Sequence, residues 1–77
     1  MKITTWNVNS VNARLEHLVN FIKEDQSDIY LLQELKTVEE GFPREAIKNL
    51  GYNAYVNGQK AWNGVAILSK KKIEITA

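Results

Sequence analysis

The sequence predicts an α/β chain: a parallel βαβ unit, then a short helix and a β-hairpin. Three observations carry this reading. From Lys2 to Leu32 an extended segment, a stretch with helical apolar spacing and a second extended segment succeed one another, within the roughly 30 residues of one βαβ unit. The second extended segment, Ile29-Tyr30-Leu31-Leu32, is continuously apolar rather than alternating, as expected of a strand covered on both faces in a parallel sheet. Downstream, Gly51 and Asn57-Gly58 punctuate one more helix and two more extended segments, as turn-formers do.

Taken in order, Lys2 to Trp6 reads as a first strand that gives way to the turn and cap residues Asn7-Val8-Asn9-Ser10. A helix follows, because Val11, Leu15, Leu18, Val19 and Ile22 form one apolar stripe while Asn12, Glu16, Asn20 and Lys23 face away. Asp25-Gln26-Ser27-Asp28 breaks it, and Ile29 to Leu32 is the second strand. After a polar loop from Thr37 to Gly41, Phe42-Pro43-Arg44 opens a short helix through Leu50, with proline tolerated in the first turn and Gly51 ending it. Tyr52 to Val56 and Gly64 to Leu68 are two strands separated by Asn57 to Asn63, a loop too long for a tight turn and of functional length. Lys72-Ile73-Glu74-Ile75-Thr76 begins a period-two alternation at the end of the chain.

Composition removes several function classes. With no cysteine there is neither a disulfide framework nor a thiolate metal site, and one histidine cannot build an imidazole cluster. Ten basic against nine acidic residues exclude a strongly basic or acidic tail. The apolar runs fall well short of the roughly 20 residues that span a bilayer, so no membrane partner is expected. Met1-Lys2-Ile3-Thr4-Thr5-Trp6 lacks the apolar core of a secretory leader, and the expected location is cytoplasmic. A strand beginning in the last few residues would leave an open sheet edge. The chain therefore reads as the front part of something longer, the alternative being a complete small domain whose last strand is the edge.

In a parallel βαβ unit both strands end on one rim, where ligands of open α/β sheets bind. Asn7 at the end of the first strand and Glu34 at the end of the second are thereby expected to converge. Glu34 follows four apolar residues and a glutamine, so it needs a partner. A hard divalent cation suits it, since magnesium keeps most of its waters and takes one or two protein carboxylates. Asn7 offers both a donor and an acceptor. The plainer alternative pairs Glu34 with Lys36 at the surface and leaves Asn7 as turn chemistry.

Trp6-Asn7-Val8-Asn9-Ser10-Val11 with Ala13-Arg14-Leu15, and Asp28-Ile29 with Leu32-Gln33-Glu34-Leu35-Lys36, resemble the start of the exonuclease III family. These are magnesium-dependent apurinic/apyrimidinic endonucleases of the endonuclease/exonuclease/phosphatase superfamily. The likeness continues through Phe42-Pro43, Leu50-Gly51-Tyr52-Asn53, Gly58-Gln59-Lys60 and Asn63-Gly64-Val65-Ala66-Ile67-Leu68-Ser69, covering essentially the whole chain in order.

The resemblance implies a DNase I-like, two-sheet α/β sandwich with its site at the top of both sheets. Residues 1–77 would be an incomplete N-terminal segment of that single domain. It implies hydrolysis of the phosphodiester 5′ to an abasic site, with 3′→5′ exonuclease and 3′-phosphatase activities, on double-stranded DNA carrying abasic sites or 3′ ends. Glu34 would be the ligand of Mg2+, or of Mn2+ in its place. Asn7 would organise the metal and the catalytic hydrogen bonds, with Asn9 and Lys36 supporting them from behind. Leu35 departs from the threonine usual in relatives. The family's catalytic tyrosine, Asp-x-Asn pair, late aspartate and Ser-Asp-His cluster belong to later segments, and with no Asp after Asp28 and no His after His17 nothing downstream of the second strand can take those acidic and imidazole roles. The chain is thus expected to be inactive alone, with the missing C-terminal part as partner and a monomer as the full-length form. The alternative is a non-catalytic remnant or interaction piece that binds DNA or a partner weakly. An independent phosphate-binding βαβ module is disfavoured by the lack of a glycine-rich loop after the first strand.

DNA contact is expected from two places. Asn12, Ala13 and Arg14 would start the first helix beside the rim, where backbone N–H groups favour phosphate, although Arg14 also fits a solvated helix face. Lys60, Trp62 and Asn63 lie in the loop that touches the DNA backbone in relatives, the alternative being a tryptophan packed over the sheet edge. His17 falls off the apolar stripe and is expected to be solvated rather than catalytic. Lys70 to Lys72 read as a charged turn, and Trp6 as packing behind Asn7.

Overall fold

The computed structural model describes residues 1–57 and 64–72. The elements run β1 (Ile3–Asn7), α1 (Leu15–Asp25), β2 (Ile29–Gln33), a 3-10 turn (Glu39–Gly41), α2 (Arg44–Asn49), β3 (Asn53–Asn57) and β4 (Val65–Ser69). The expected strand beginning at Lys72 lies largely outside the described residues. The βαβ unit is as read: β1 and β2 are parallel, with Ile3 opposite Ile29 and Asn7 opposite Gln33. The hairpin also forms, Asn53 pairing with Ser69 and Asn57 with Val65. Between the two units β4 pairs antiparallel with β2, so the four strands are ordered β1-β2-β4-β3.

This register puts Thr4, Tyr30, Leu68 and Ala54 in one row across the sheet, with Trp6, Leu32, Ala66 and Val56 in the next. Leu18 and Ile22 of α1 and Ile47 of α2 join Tyr30, Leu32, Ala66 and Leu68 in a single core. Each such fully buried aliphatic side chain contributes about 1.5–3 kcal/mol. The uninterrupted apolar run of β2 is not covered equally on both faces within this chain. Tyr30 and Leu32 are buried under the helices, while Ile29 and Leu31 are half-buried on the opposite face. On that face Ile3 is 55% and Val65 50% exposed, so the alternation expected of a one-sided sheet reappears in burial, if not in residue type.

The first helix begins later than its apolar stripe suggests. Val11 is fully buried, but α1 starts at Leu15 and residues 11–14 form a turn. The cause is long-range: the Val11 N–H donates to the Leu35 carbonyl (2.9 Å), which holds it beside β2 and outside any helix. Asn12, Ala13 and Arg14 therefore precede the helix instead of opening it, Arg14 occupying its N-cap position. At the other end Gln26 adopts a left-handed backbone (φ 52°) and returns its N–H to the Ile22 carbonyl, a common helix stop. Pro43 likewise sits at the N-cap of α2 rather than within its first turn. Gly51 (φ 89°) ends that helix as expected.

The rim at the N-terminal ends of β1 and β2 is closed by a polar network that periodicity did not reveal. Asp25 Oδ2 accepts from the Tyr30 hydroxyl (2.9 Å) and from Ser27 Oγ, while Asp25 Oδ1 meets Lys2 Nζ at 2.6 Å. The buried Ser27 N–H donates to the Tyr30 oxygen (3.0 Å), and the Tyr52 hydroxyl donates to the Ser27 carbonyl. Lys2, then the Ser27 hydroxyl, hold the Asp25 carboxyl well below the usual carboxylate range. Burial pushes the Tyr52 hydroxyl well above the ordinary phenol range. Among the described residues no buried side-chain nitrogen or oxygen lacks a partner, as a well-formed core requires. No described helix is long and apolar enough to cross a membrane.

Candidate functional site

The opposite rim, at the C-terminal ends of β1 and β2, carries the residues singled out for chemistry. Strand pairing continues beyond the sheet there: Val8 N donates to Gln33 O (3.0 Å), Ser10 N to Glu34 O (2.9 Å) and Val11 N to Leu35 O (2.9 Å). Leu35 N in turn donates to Gly64 O (3.2 Å), tying this crossing to the start of β4. On the two crossing segments Asn9 (φ 46°), Ser10 (φ 84°), Glu34 (φ 53°) and Lys36 (φ 54°) all have left-handed backbones. For L-residues each such conformation costs on the order of 1–2 kcal/mol. It persists where neighbouring bonds over-determine it, often at functional sites. Here the backbone bonds from Ser10, Val11 and Leu35 supply that constraint.

The side chains then form one chain of hydrogen bonds. Asn7 Nδ2 donates to Glu34 Oε2, Asn7 Oδ1 accepts from the Asn9 N–H (3.1 Å), and Lys36 Nζ donates to Asn9 Oδ1. Asn7 and Asn9 are exposed, and Glu34 and Lys36 are half-buried. Both ends of the Asn7 amide are thus used, one to orient a carboxylate and one to brace the turn. A carboxylate offers about four lone-pair sites and an amide oxygen two, so acceptor capacity remains at Glu34 and at Asn7 Oδ1. Among the described residues no three His, Cys, Asp or Glu side chains converge. A single carboxylate beside an amide oxygen does not suit zinc, which takes three or four nitrogen, sulfur or carboxylate ligands. It does fit a magnesium-type cation that retains its own waters.

The expected site residues separate into groups. Asn7, Glu34, Asn9 and Lys36 are brought together. Asn12 is engaged elsewhere: its Nδ2 donates to the Gly41 carbonyl (3.1 Å), fastening the loop before α2 to the turn before α1. Ala13 and Arg14 are exposed in that turn. Lys60, Trp62 and Asn63 lie outside the described residues. Leu35 is fully buried in the core with Val8 and Val11, so its side chain packs while its backbone carries the rim bonds. Trp6 is half-buried, its ring edge-on to Phe21 at 5.2 Å, and His17 is exposed on α1. Two contributors were not read from sequence: the Gly64 carbonyl and the left-handed pair Asn9-Ser10. Only the asparagine offered a signal, since Asn tolerates that conformation better than most residues.

The model of the endonuclease/exonuclease/phosphatase family matches residues 4–77. Exodeoxyribonuclease III of Haemophilus influenzae is 40% identical over 75 residues, covering 97% of this chain and 28% of that protein. An AP endonuclease structure from Archaeoglobus fulgidus superposes with a TM-score of 0.91 at 39% identity, over 94% of this chain and 28% of its own. A 3′ phosphatase from Neisseria bound to a product DNA hairpin gives 0.87 at 48% identity, over 91% and 27%. The chain therefore spans little more than a quarter of the length of these relatives.

Proposed function

This chain belongs to the endonuclease/exonuclease/phosphatase family, and from that premise we propose that its Asn7–Glu34 rim is part of the active site of a DNA-cleaving phosphodiester hydrolase that uses a divalent cation. The observation that carries this reading is the hydrogen bond from Asn7 Nδ2 to Glu34 Oε2 at the shared end of β1 and β2. Glu34 would hold magnesium, or manganese in its place, with Asn7 Oδ1 beside it. When bound, such a cation neutralises charge that develops on phosphoryl oxygens during hydrolysis. Asn7 keeps the carboxylate oriented before substrate arrives, and Lys36 holds Asn9, whose backbone braces Asn7. The substrate we assign is double-stranded DNA at an abasic site or a 3′ end. The names of the relatives support this: an exodeoxyribonuclease, an AP endonuclease and a 3′ phosphatase seen with DNA.

Hydrolysis also needs a group to take the proton from the attacking water. The hydrogen-bonded chain of Glu34, Asn7, Asn9 and Lys36 contains one carboxylate, and a carboxylate engaged by a cation is a poor base. We therefore propose that these 77 residues bind metal and DNA without turning over. Two measurements test this. Calorimetric titration with Mg2+ or Mn2+ is expected to show binding that Glu34→Gln abolishes; equal binding by both proteins would remove Glu34 from the metal site. Incision of an abasic-site duplex in Mg2+ is expected to be negligible, and robust turnover by this chain would overturn the claim of inactivity.

A further inference from the structure

Both helices pack on the sheet face of Tyr30, Leu32, Ala66 and Leu68, and the opposite face carries no helix among the described residues. Strand register fixes what that face holds: three rows of four side chains, one from each strand. An aliphatic band crosses it diagonally, from Ile3 and Ile29 through Leu31 and Ile67 to Val65. The ends of the band are its most open points, Ile3 and Val65 being at least half exposed. Amides flank the band, Asn7 and Gln33 at one corner, Asn53 at the opposite one and Asn57 beside Val65. No position in the three rows is charged, although 25% of the chain's residues are. A sheet face that meets water ordinarily carries polar side chains. An apolar centre rimmed by uncharged polar groups is instead the layout of an interaction surface.

We propose that this face docks on the same face of a second copy of the chain, stacking two four-stranded sheets into a dimeric sandwich. The occupant follows from the charge pattern. A surface shaped for a charged partner would present charges of the opposite sign. This one presents none, so two copies meet without repulsion. Its rim amides each donate and accept, which lets like pair with like across a two-fold axis. Stacked sheets of this kind lie about 10 Å apart with their strands within about 30° of alignment. Four strands about 4.8 Å apart, each five residues long at about 3.3 Å per residue, cover about 320 Å2 in projection on each copy. That is below the roughly 600 Å2 per partner of the smallest stable interfaces, so the dimer is a weak one. The inference does not rest on the nuclease reading, since no residue of the aliphatic band belongs to the hydrogen-bonded chain of Asn7, Glu34, Asn9 and Lys36.

The test is sedimentation equilibrium of the 77-residue chain from about 10 µM to about 1 mM, a range suited to a weak interface. The weight-average mass is expected to climb from 8.8 kDa toward twice that value. Ile3→Lys with Val65→Lys sets like charges on both copies and is expected to weaken association about ten-fold or more; both side chains are at least half exposed, so the fold keeps its core. Ile3→Glu with Val65→Glu is expected to do the same alone. An equimolar mixture of the Lys and Glu proteins is expected to regain association, a rescue that misfolding cannot imitate. A wild-type chain that stays at 8.8 kDa throughout overturns the proposal and leaves the face to a different polypeptide. Association that both charged pairs leave unchanged overturns it by placing the contact elsewhere, and a mixture no tighter than its components overturns it too. Mass growth beyond twice the monomer would mark open-ended pairing at strand edges and would equally refute a closed dimer.

Discussion

Replacing Asn7 by Asp probes the geometry on which the candidate site depends. Asn7 Nδ2 donates to Glu34 Oε2, so Asn7→Asp removes the donor and sets a second carboxylate against the first. A hydrogen bond to a charged group contributes about 1.5–3 kcal/mol. Two like charges about 4 Å apart repel by about 1 kcal/mol in water and more where solvent is excluded. Asn7 is exposed and Glu34 half-buried, so the low end of each range applies and the loss is about 2.5 kcal/mol without metal. With a urea slope of about 1 kcal/mol per M, typical of a small domain, the unfolding midpoint falls by about 2.5 M. Asn7→Ala escapes the repulsion but loses both that bond and the one from the Asn9 N–H, so its cost should also be about 2.5 kcal/mol. Millimolar Mg2+ should restore much of the Asn7→Asp deficit, because a cation between two carboxylates is bound by the folded form alone. Urea unfolding of the three proteins, each with and without Mg2+, measures all of this. An Asn7→Asp variant as stable as the wild type in metal-free buffer would refute the adjacency of the two side chains, and with it the shared pocket.

Three further outcomes are expected. Because Asp25 is held below the usual carboxylate range chiefly by Lys2, its contribution is present above about pH 4 and is lost as pH falls from there toward the depressed value. Acid unfolding should therefore begin at higher pH in wild type relative to its own pH 7 stability than in Asp25→Asn, with a residual acid dependence from Asp28, whose carboxyl the Lys2 N–H also lowers. Tyr30→Phe strips the buried Ser27 N–H of its acceptor and Asp25 of a donor, and should cost about 2–4 kcal/mol by thermal or urea unfolding. Gly41→Ala would place a methyl group 2.3 Å from Thr37 Oγ1. It should cost about 1–3 kcal/mol, and Thr37→Ala in the same protein should recover most of that in a double-mutant cycle.

Much of the fold is written locally in the sequence. Apolar spacing at Leu18 and Ile22 marks the buried face of α1, and the run from Ile29 to Leu32 marks the central strand. Gly51 marks the end of α2 because its left-handed φ is unstrained only without a side chain. These signals act between residues a few positions apart, where chain geometry alone connects pattern to structure. The convergence of Asn7 and Glu34 also followed, since parallel strands of one βαβ unit must end on the same rim. Nothing local placed β4 between β2 and β3, or held Val11 out of the helix that its spacing suggests. Nor did it turn Asn12 toward Gly41 or gather Asp25, Ser27, Tyr30 and Tyr52 into one network. Each of those depends on hydrogen bonds or strand register between segments far apart in the chain. Such contacts form only once the sheet has chosen its order, and they then override local preference because an unpaired buried backbone group costs more than a delayed helix start.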